Sequence, residues 1–176
     1  FTVDATDEST LQFSESFDPE SWPAVNFIDF GKGDGDIITA AINYLGALTV
    51  FKNYSIYELA GTSLDDFRVN KLEGRAGCVG QRAVTNYGMY LYFIARDGVY
   101  MWNGSKATNL VKDTIPNLWK TVNQEYISNA SIGIWEDTLR CSLTVSSHRA
   151  TDTDNTVSAA DATNEASLIT LVNAIK

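Results

Sequence analysis

The residues with the clearest capacity for chemistry lie in a glycine-rich loop, Gly31–Asp36, which reads GKGDGD. A loop of this composition could cradle a phosphate or hold a calcium ion. A Walker-type phosphate loop needs GxxxxGK[ST] between a strand and a helix, whereas the residues that follow here have a strand pattern. Asp34 and Asp36 could bind calcium, but no third or fourth ligand lies at a fitting spacing. We therefore predict that the three glycines adopt positive φ in a tight connection and that the loop holds no metal.

A second acidic segment, Asp152–Thr156, has the spacing that begins an EF-hand loop. Calcium binding by such a loop also needs a glycine at its sixth position and a glutamate at its twelfth. Val157 and Thr163 occupy those two positions. We interpret the segment as a solvated polar loop.

Catalysis by a histidine, a serine or a pair of carboxylates finds little support. His148 is the single histidine, and the chain contains no G-x-S-x-G motif. The acidic pairs Asp65-Asp66 and Glu136-Asp137 fall in predicted turns, where Asp accepts hydrogen bonds from the backbone. We predict that the protein is not an enzyme and has no catalytic, cofactor-binding or metal-ligating residues.

Charge, hydrophobicity and cysteine content exclude several further kinds of partner and site. The formal net charge is −9 and the Lys and Arg residues are scattered, so a sequence-specific nucleic-acid surface is not expected. No apolar run approaches the roughly 20 residues that span a bilayer. Cys78 and Cys141 have no CxxC spacing, and we predict two buried free thiols rather than a zinc site or a disulfide.

An internal sequence repeat predicts the strands that position these residues. Asn43–Gly61 and Asn86–Gly104 align without a gap at an offset of 43 residues. The matched residues are Asn43/Asn86, Tyr44/Tyr87, Leu48/Leu91, Tyr57/Tyr100 and Gly61/Gly104. A period of this length built from short strands is typical of stacked four-stranded units such as propeller blades.

The predicted fold is therefore all-β and mainly antiparallel, a partial β-propeller-like stack of about three blades with a short C-terminal helix. We place the blades in residues 1–147, with repeat units at about 37–76, 80–113 and 127–147. Strands such as Leu91–Ile94 are apolar on both faces, which predicts that they are covered on both sides. Phe1–Glu15 predicts one or two edge strands, Val25–Phe30 predicts another strand, and Ile115–Glu125 predicts a short helix or an irregular loop.

Residues 148–176 form a second predicted segment, a polar loop followed by an amphipathic helix at Asn164–Lys176. Leu168, Ile169, Val172 and Ile175 would share one helical face. At about 43 residues per blade the chain supplies three blades at most, fewer than a closed propeller needs. We expect the chain to be a piece of a larger propeller rather than an open stack or an assembly of several copies.

Aromatic residues on the repeat strands allow two interpretations. They are Tyr54, Tyr57, Tyr90, Tyr92, Tyr100 and Trp102. An exposed row could bind sugar or protein, but such residues more often fill the space between blades. We favour packing.

One ordered series of motifs resembles a known family. It runs through an acidic DPESWP turn, an NFID strand, a GDGD loop, a hairpin around Lys52-Asn53, and the RDGVY hairpin that ends in WNG at Gly104. In this order the motifs resemble the propeller portion of bacteriophage tail nozzle (tail tubular) and head-to-tail stabilisation proteins. The resemblance covers about half of the chain.

The resemblance implies a structural virion component: a propeller subunit in a homo-oligomeric ring, commonly of six copies, around the DNA channel. Other tail and portal proteins would be its partners, in the virion and, during assembly, in the host cytoplasm. We expect loops Gly31–Asp36 and Leu64–Asp66 to make contacts in the ring. The alternative is a secreted or cell-surface propeller that binds or processes carbohydrate with its tyrosines and Trp102.

Overall fold

The structure, a computed structural model, describes residues 1–4, 6–63, 65–73, 75–145 and 168–169. These residues form four antiparallel sheets whose strands are mostly connected in sequence order. This confirms the predicted all-β, antiparallel class; the described residues form no closed barrel or propeller.

The strands are numbered in chain order. Sheet 1 contains β1 (Thr2–Val3), β2 (Thr10–Gln12) and β3 (Phe27–Asp29), and sheet 2 contains β4 (Ile38–Tyr44), β5 (Ala47–Lys52), β6 (Ile56–Ala60) and β7 (Arg68–Glu73). Sheet 3 contains β8 (Val84–Tyr87), β9 (Tyr90–Ala95), β10 (Gly98–Trp102) and β11 (Ala107–Asn109), and sheet 4 contains β12 (Ser131–Trp135), β13 (Thr138–Ser142) and β14 (Leu168–Ile169).

The internal repeat corresponds to two equivalent four-stranded meanders, sheets 2 and 3. Tyr57 pairs with Val50 across β5 and β6, and its counterpart Tyr100 pairs with Phe93 across β9 and β10. Both meanders therefore have the same strand order, and their first three strands pair in the same register. The 43-residue period is a period of structure as well as of sequence.

Sheet 4 repeats part of the same meander. Its first two strands are joined by Glu136 and Asp137, which have φ of 48° and 58°. Positive φ at both central residues matches the right-handed twist of the flanking strands. Ile169 pairs with Cys141 in the register that Tyr100 has with Phe93. Sheet 4 thus contains counterparts of the first three strands of a unit.

The helical predictions have mixed outcomes. Leu168 and Ile169 form a strand, so the predicted C-terminal helix is wrong at these two residues. Their backbone pairs with β13. A helical pattern of apolar residues in the sequence does not reveal that a distant strand supplies backbone hydrogen-bond partners. The rest of Asn164–Lys176 lies outside the described residues. Between sheets 3 and 4, one helical turn, α1 (Pro116–Trp119), fits the predicted short helix.

Among the described residues, sheet 1 has no counterpart of the first strand of a unit. Each connection that crosses from one sheet to the next hydrogen-bonds the turn between the second and third strands of the sheet it leaves. The Cys78 amide donates to the Lys52 carbonyl and the Trp119 indole donates to the Arg96 carbonyl. In sheet 1 the Ile38 amide donates to the Glu8 carbonyl, between β1 and β2. Strands β1 to β3 therefore correspond to second, third and fourth strands.

The hydrophobic core lies between the sheets. One cluster joins sheets 1 and 2, where the rings of Phe30 and Tyr57 lie 5.9 Å apart. A larger cluster joins sheets 2, 3 and 4, where Phe51 and Phe93 lie 5.1 Å apart. Every residue of Leu91–Ile94 is buried, which confirms that this strand is covered on both faces. Burial of each such side chain contributes roughly 1.5–3 kcal/mol to folding.

A tyrosine at the end of the first strand joins each repeated unit to the next one. The Tyr44 hydroxyl donates to the Met89 carbonyl at 2.6 Å, in the first turn of sheet 3. Its repeat counterpart Tyr87 donates to the Asp137 carboxylate, in the first turn of sheet 4. In sheet 4 the same position is occupied by Trp135, which is 61% exposed. The matched tyrosines therefore have the same role in both units.

Substitution of Gly77 tests how closely the connection between sheets 2 and 3 passes the backbone of Lys52. A Cβ at this position would lie 2.2 Å from the Lys52 carbonyl oxygen. We expect Gly77→Ala to lower the free energy of unfolding by about 1–3 kcal/mol, because backbone must shift to admit the methyl group. Urea unfolding measures the change. Gly133→Ala is the control, since a Cβ there meets no atom of the described structure within 4 Å, and an equal loss in both variants would contradict the prediction.

Candidate functional site

The glycine-rich loop 31–36 is held against the turn between β5 and β6. Its three glycines have φ of 68°, 82° and 75°, which confirms the predicted reason for glycine. The Asp36 carboxylate accepts hydrogen bonds from the Asn53 amide at 3.0 Å, the Tyr54 amide at 3.1 Å and the Ser55 hydroxyl at 3.4 Å. The loop therefore fastens a hairpin of sheet 2 through one side chain.

A buried lysine forms the second half of this attachment. Lys52 has a relative exposure of 0%, and its Nζ lies 2.8 Å from Asp34 Oδ1. The same ammonium donates to the Gly31 carbonyl at 3.4 Å and lies 5.8 Å from the centre of the Tyr57 ring. A buried charge is stable only when it is paired and hydrogen-bonded, and here the loop supplies the counter-charge.

The ionisation of Asp34 is coupled to this contact. Partial burial disfavours the charged carboxylate, but hydrogen bonds from Lys52 and the Asp36 amide prevail and hold the pKa of Asp34 below its usual 3.8. Because the pKa of Asp34 is lower in the folded state, its charged form stabilises the fold, and this stabilisation is fully present at pH values above the unfolded-state pKa. That stabilisation is lost as the pH falls through the folded-state pKa.

The two carboxylates of the loop are thus already engaged by donors of the protein. Asp34 has Lys52 and Asp36 has the hairpin amides, so each would have to give up these contacts to bind a cation. Among the described residues no group of three or more Asp, Glu, His or Cys side chains could hold a metal ion. The arrangement is suited to fixing a connection between sheets rather than to chemistry on a ligand.

The other acidic candidates do not gather into a site. Asp66 accepts hydrogen bonds from the Thr62 and Ser63 amides of its own turn. Asp137 accepts the Tyr87 hydroxyl that joins sheets 3 and 4. These are the backbone and packing roles expected of acids in turns. His148 and the segment Asp152–Thr156 lie outside the described residues.

Both cysteines are buried free thiols, as predicted. Burial raises the pKa of Cys78 to about 12 and that of Cys141 to about 12. The thiolate is the reactive form of cysteine, and at neutral pH neither side chain is ionised.

Thiol labelling tests this environment. At pH 8 we expect the native protein to react with a disulfide reagent at least 100-fold more slowly than a free thiol, because both thiols are protonated and covered. In denaturant both cysteines should react at the ordinary rate. Fast stoichiometric labelling of the native protein would show that one of the two sites is accessible, contrary to the structure.

Three of the six repeat-strand aromatics are buried in the core. Tyr57, Tyr92 and Trp102 are buried, with Trp102 only 1% exposed. Tyr54 and Tyr90 are exposed. Packing, the favoured interpretation, is thus confirmed for these three buried residues. The six aromatics do not form one exposed row, and Trp102 does not provide an accessible platform.

The two loops predicted to make ring contacts lie at opposite ends of sheet 2. Loop 31–36 lies beside the turn between β5 and β6. Asp66 belongs to the connection between β6 and β7, at the end where the β4–β5 turn lies. Leu64 lies outside the described residues. A single flat contact surface would include one of these loops and not the other.

An open groove of about 380 Å³ lies at this second end of sheet 2. It is lined mainly by apolar residues of the β4–β5 turn, of the β6–β7 connection and of the N-terminus: Phe1, Leu45–Leu48, Leu59–Thr62 and Phe67. Leu45 is 69% exposed and Phe1 is 58% exposed. No sequence motif points to this groove, because its residues come from three separate segments and each has an ordinary composition.

No family model matches the chain, and no curated protein matches it either. Among the described residues no helix is long and apolar enough to cross a membrane.

Proposed function

We propose that this chain is a non-enzymatic structural component of a bacteriophage tail or head–tail connector. It would act as a propeller-type subunit of a ring around the DNA channel. The observation that carries the proposal is the serial stack of equivalent meanders, in which polar groups join one unit to the next. Tyr44, Tyr87 and Lys52 are all engaged in this way.

The motifs of the family resemblance occupy the connecting positions of the fold. DPESWP forms a turn between β2 and β3, where the Trp22 indole donates to the Pro19 carbonyl at 3.0 Å. The NFID segment contains β3, and the GDGD loop leads into β4. The RDGVY motif forms the β9–β10 turn. The turns and loops between strands determine how the sheets are arranged. Motifs at these positions therefore support a resemblance in fold.

An exposed aromatic residue on sheet 4 is compatible with association between copies. In sheet 4 Trp135 is 61% exposed, at the position where the earlier units have joining tyrosines. Contacts between unlike surfaces of identical copies close into rings when the rotation between the copies permits. The formal net charge of −9 suits a channel wall that does not hold DNA back.

The carbohydrate alternative has weaker support. It relies on aromatics as an accessible stacking platform, and Trp102 and Tyr92 are buried. Their burial between sheets favours a packing role instead.

Single-particle imaging of the purified chain tests the proposal. We expect rings with a central channel and one predominant symmetry. The whole chain should be imaged at several concentrations, because mass action increases the fraction of associated copies as the concentration rises. Particles that stay dispersed as monomers at every concentration, together with binding on a glycan array, would overturn the proposal in favour of the carbohydrate alternative.

A further inference from the structure

We propose that Asn103 is a site of spontaneous covalent modification, at which the folded chain converts its own asparagine to aspartate and isoaspartate. The backbone nitrogen of Gly104 attacks the side-chain carbonyl carbon of Asn103, and ammonia leaves. The inference does not depend on the proposed function, because it follows from the chemistry and geometry of one turn.

The first observation is the sequence and exposure of the connection between β10 and β11. Asn103 is the only asparagine of the sequence that is followed by glycine. A side chain on the following residue shields its backbone nitrogen, and glycine has no such side chain. Residues 103–106 are all exposed, so water reaches both the asparagine and the glycine. The sequence and the exposure therefore single out this turn.

The second observation is the hydrogen bonding of the Asn103 side chain. Its Oδ1 accepts the Ser105 amide at 3.0 Å and the Lys106 amide at 2.9 Å. Two donors on one carbonyl oxygen withdraw electron density from the Cγ atom. They also stabilise the negative charge that develops on the oxygen when a nucleophile adds to the carbon. The turn therefore activates the carbonyl group that has to be attacked.

The third observation is the nucleophile. Among the described residues the Gly104 amide donates to no acceptor, so it can lose its proton without breaking a contact. A Cβ built on Gly104 would meet only the Tyr44 hydroxyl, at 3.7 Å. The space beside the glycine leaves room for the ring that forms when its nitrogen bonds to the asparagine side chain.

Asn109 provides a comparison within the same sheet. Its Oδ1 also accepts two amides, those of Val111 and Lys112, each at 2.9 Å. The residue after it is Leu110, whose amide donates to the Val99 carbonyl at 2.8 Å. This nitrogen is engaged and is shielded by a branched side chain, so Asn109 should stay intact. The two asparagines share the activated carbonyl group and differ in the nucleophile.

The reaction balances with water as the co-reactant. A bond forms between the Gly104 nitrogen and Asn103 Cγ, the Cγ–Nδ2 bond breaks, and the proton from the glycine amide leaves with the side-chain nitrogen as ammonia. Water then opens the cyclic imide. Cleavage of the new bond gives aspartate, and cleavage of the original peptide bond gives isoaspartate, in which the backbone runs through the side chain. Either product adds a carboxylate charge to the turn.

Peptide mapping by mass spectrometry tests the proposal on the whole folded chain. The protein is incubated at mildly alkaline pH and physiological temperature, and samples are digested at intervals. We expect the Asn103 peptide to convert at least 10-fold faster than the Asn109 peptide, because only Gly104 offers an unshielded nitrogen. An isoaspartate methyltransferase should label the same peptide, which distinguishes the rearranged product from aspartate.

Two variants test the role of the glycine. Gly104→Ala should slow conversion at Asn103 at least 10-fold, because the added Cβ shields the nucleophile. Gly88→Ala is the control, since Gly88 also has positive φ, 58°, and a Cβ there meets no atom within 4 Å. It should leave the rate at Asn103 unchanged, and thermal unfolding confirms that both variants are folded.

Three results would overturn the proposal. The first is an Asn103 peptide that stays intact in the folded protein while the denatured chain converts. The second is equal conversion at Asn103 and Asn109. The third is an unchanged rate in a folded Gly104→Ala protein.

Discussion

Asp34→Ala is expected to lower the free energy of unfolding by about 3 kcal/mol. Its removal leaves the Lys52 ammonium buried without a counter-charge, and breaking a buried pair from one side costs about 3–5 kcal/mol. We expect the low end because the Asp34 side chain is 33% exposed and water can reach the site. Urea unfolding followed by tryptophan fluorescence gives the measurement. Asp113→Ala, at an exposed acid, makes the same change in net charge and should alter stability by less than about 0.5 kcal/mol.

A double variant separates the ion pair from the packing of the loop. Lys52→Met combined with Asp34→Ala removes both charges and keeps an apolar side chain in the buried position, so it should recover much of the loss. The pH dependence gives a second readout. Because the pKa of Asp34 is lowered in the folded state, wild-type stability should fall as the pH drops below about 4. This part of the pH dependence should be absent in Asp34→Ala; an unchanged acid profile would show that the Asp34–Lys52 contact contributes little.

Trp102→Ala is expected to lower the free energy of unfolding by about 3–5 kcal/mol, because it opens a large cavity in the core. Trp102 is among the largest fully buried side chains of the described residues. Trp102→Phe is the matched variant: it keeps most of the apolar volume and removes an indole N–H that meets no acceptor in the described structure. Its loss should be well below that of the alanine variant.

Chemical denaturation and the near-ultraviolet circular dichroism of both Trp102 variants provide the measurement. The same pair distinguishes the two functional readings. A stacking platform for sugar would lose glycan binding in Trp102→Ala without losing stability. A stable Trp102→Ala protein with altered ligand binding would contradict the buried position of this side chain.

Strand positions were predictable wherever local pattern and local pairing agree. The predicted strand Leu91–Ile94 lies within β9, because this apolar run is bounded by turn residues and pairs with its sequence neighbours. The repeat also gave the register of the two meanders, since equivalent residues such as Tyr57 and Tyr100 hold equivalent pairing positions. The turn before Gly98 was predicted, but its glycine has no positive φ and instead admits the Asn109 side chain.

The parts that sequence missed depend on contacts between distant segments. Lys52 looks like an exposed hairpin lysine, and its burial follows from loop 31–36 folding over it. Leu168 and Ile169 have a helical pattern, yet pairing with β13 makes them a strand. The strands of sheet 1 were predicted, as one or two edge strands in Phe1–Glu15 and another in Val25–Phe30, but their pairing into one sheet was not, because the three segments are short and separated by loops. In each case a partner elsewhere in the chain overrides the local preference.

Native mass spectrometry of the whole chain tests most directly whether this protein is an assembly subunit. We expect a species of fixed copy number, six in the favoured arrangement, at a whole multiple of the 19.3 kDa chain mass. That species should persist on moderate dilution and dissociate in steps when activated. A single species at 19.3 kDa at all concentrations tested would contradict assembly into a ring.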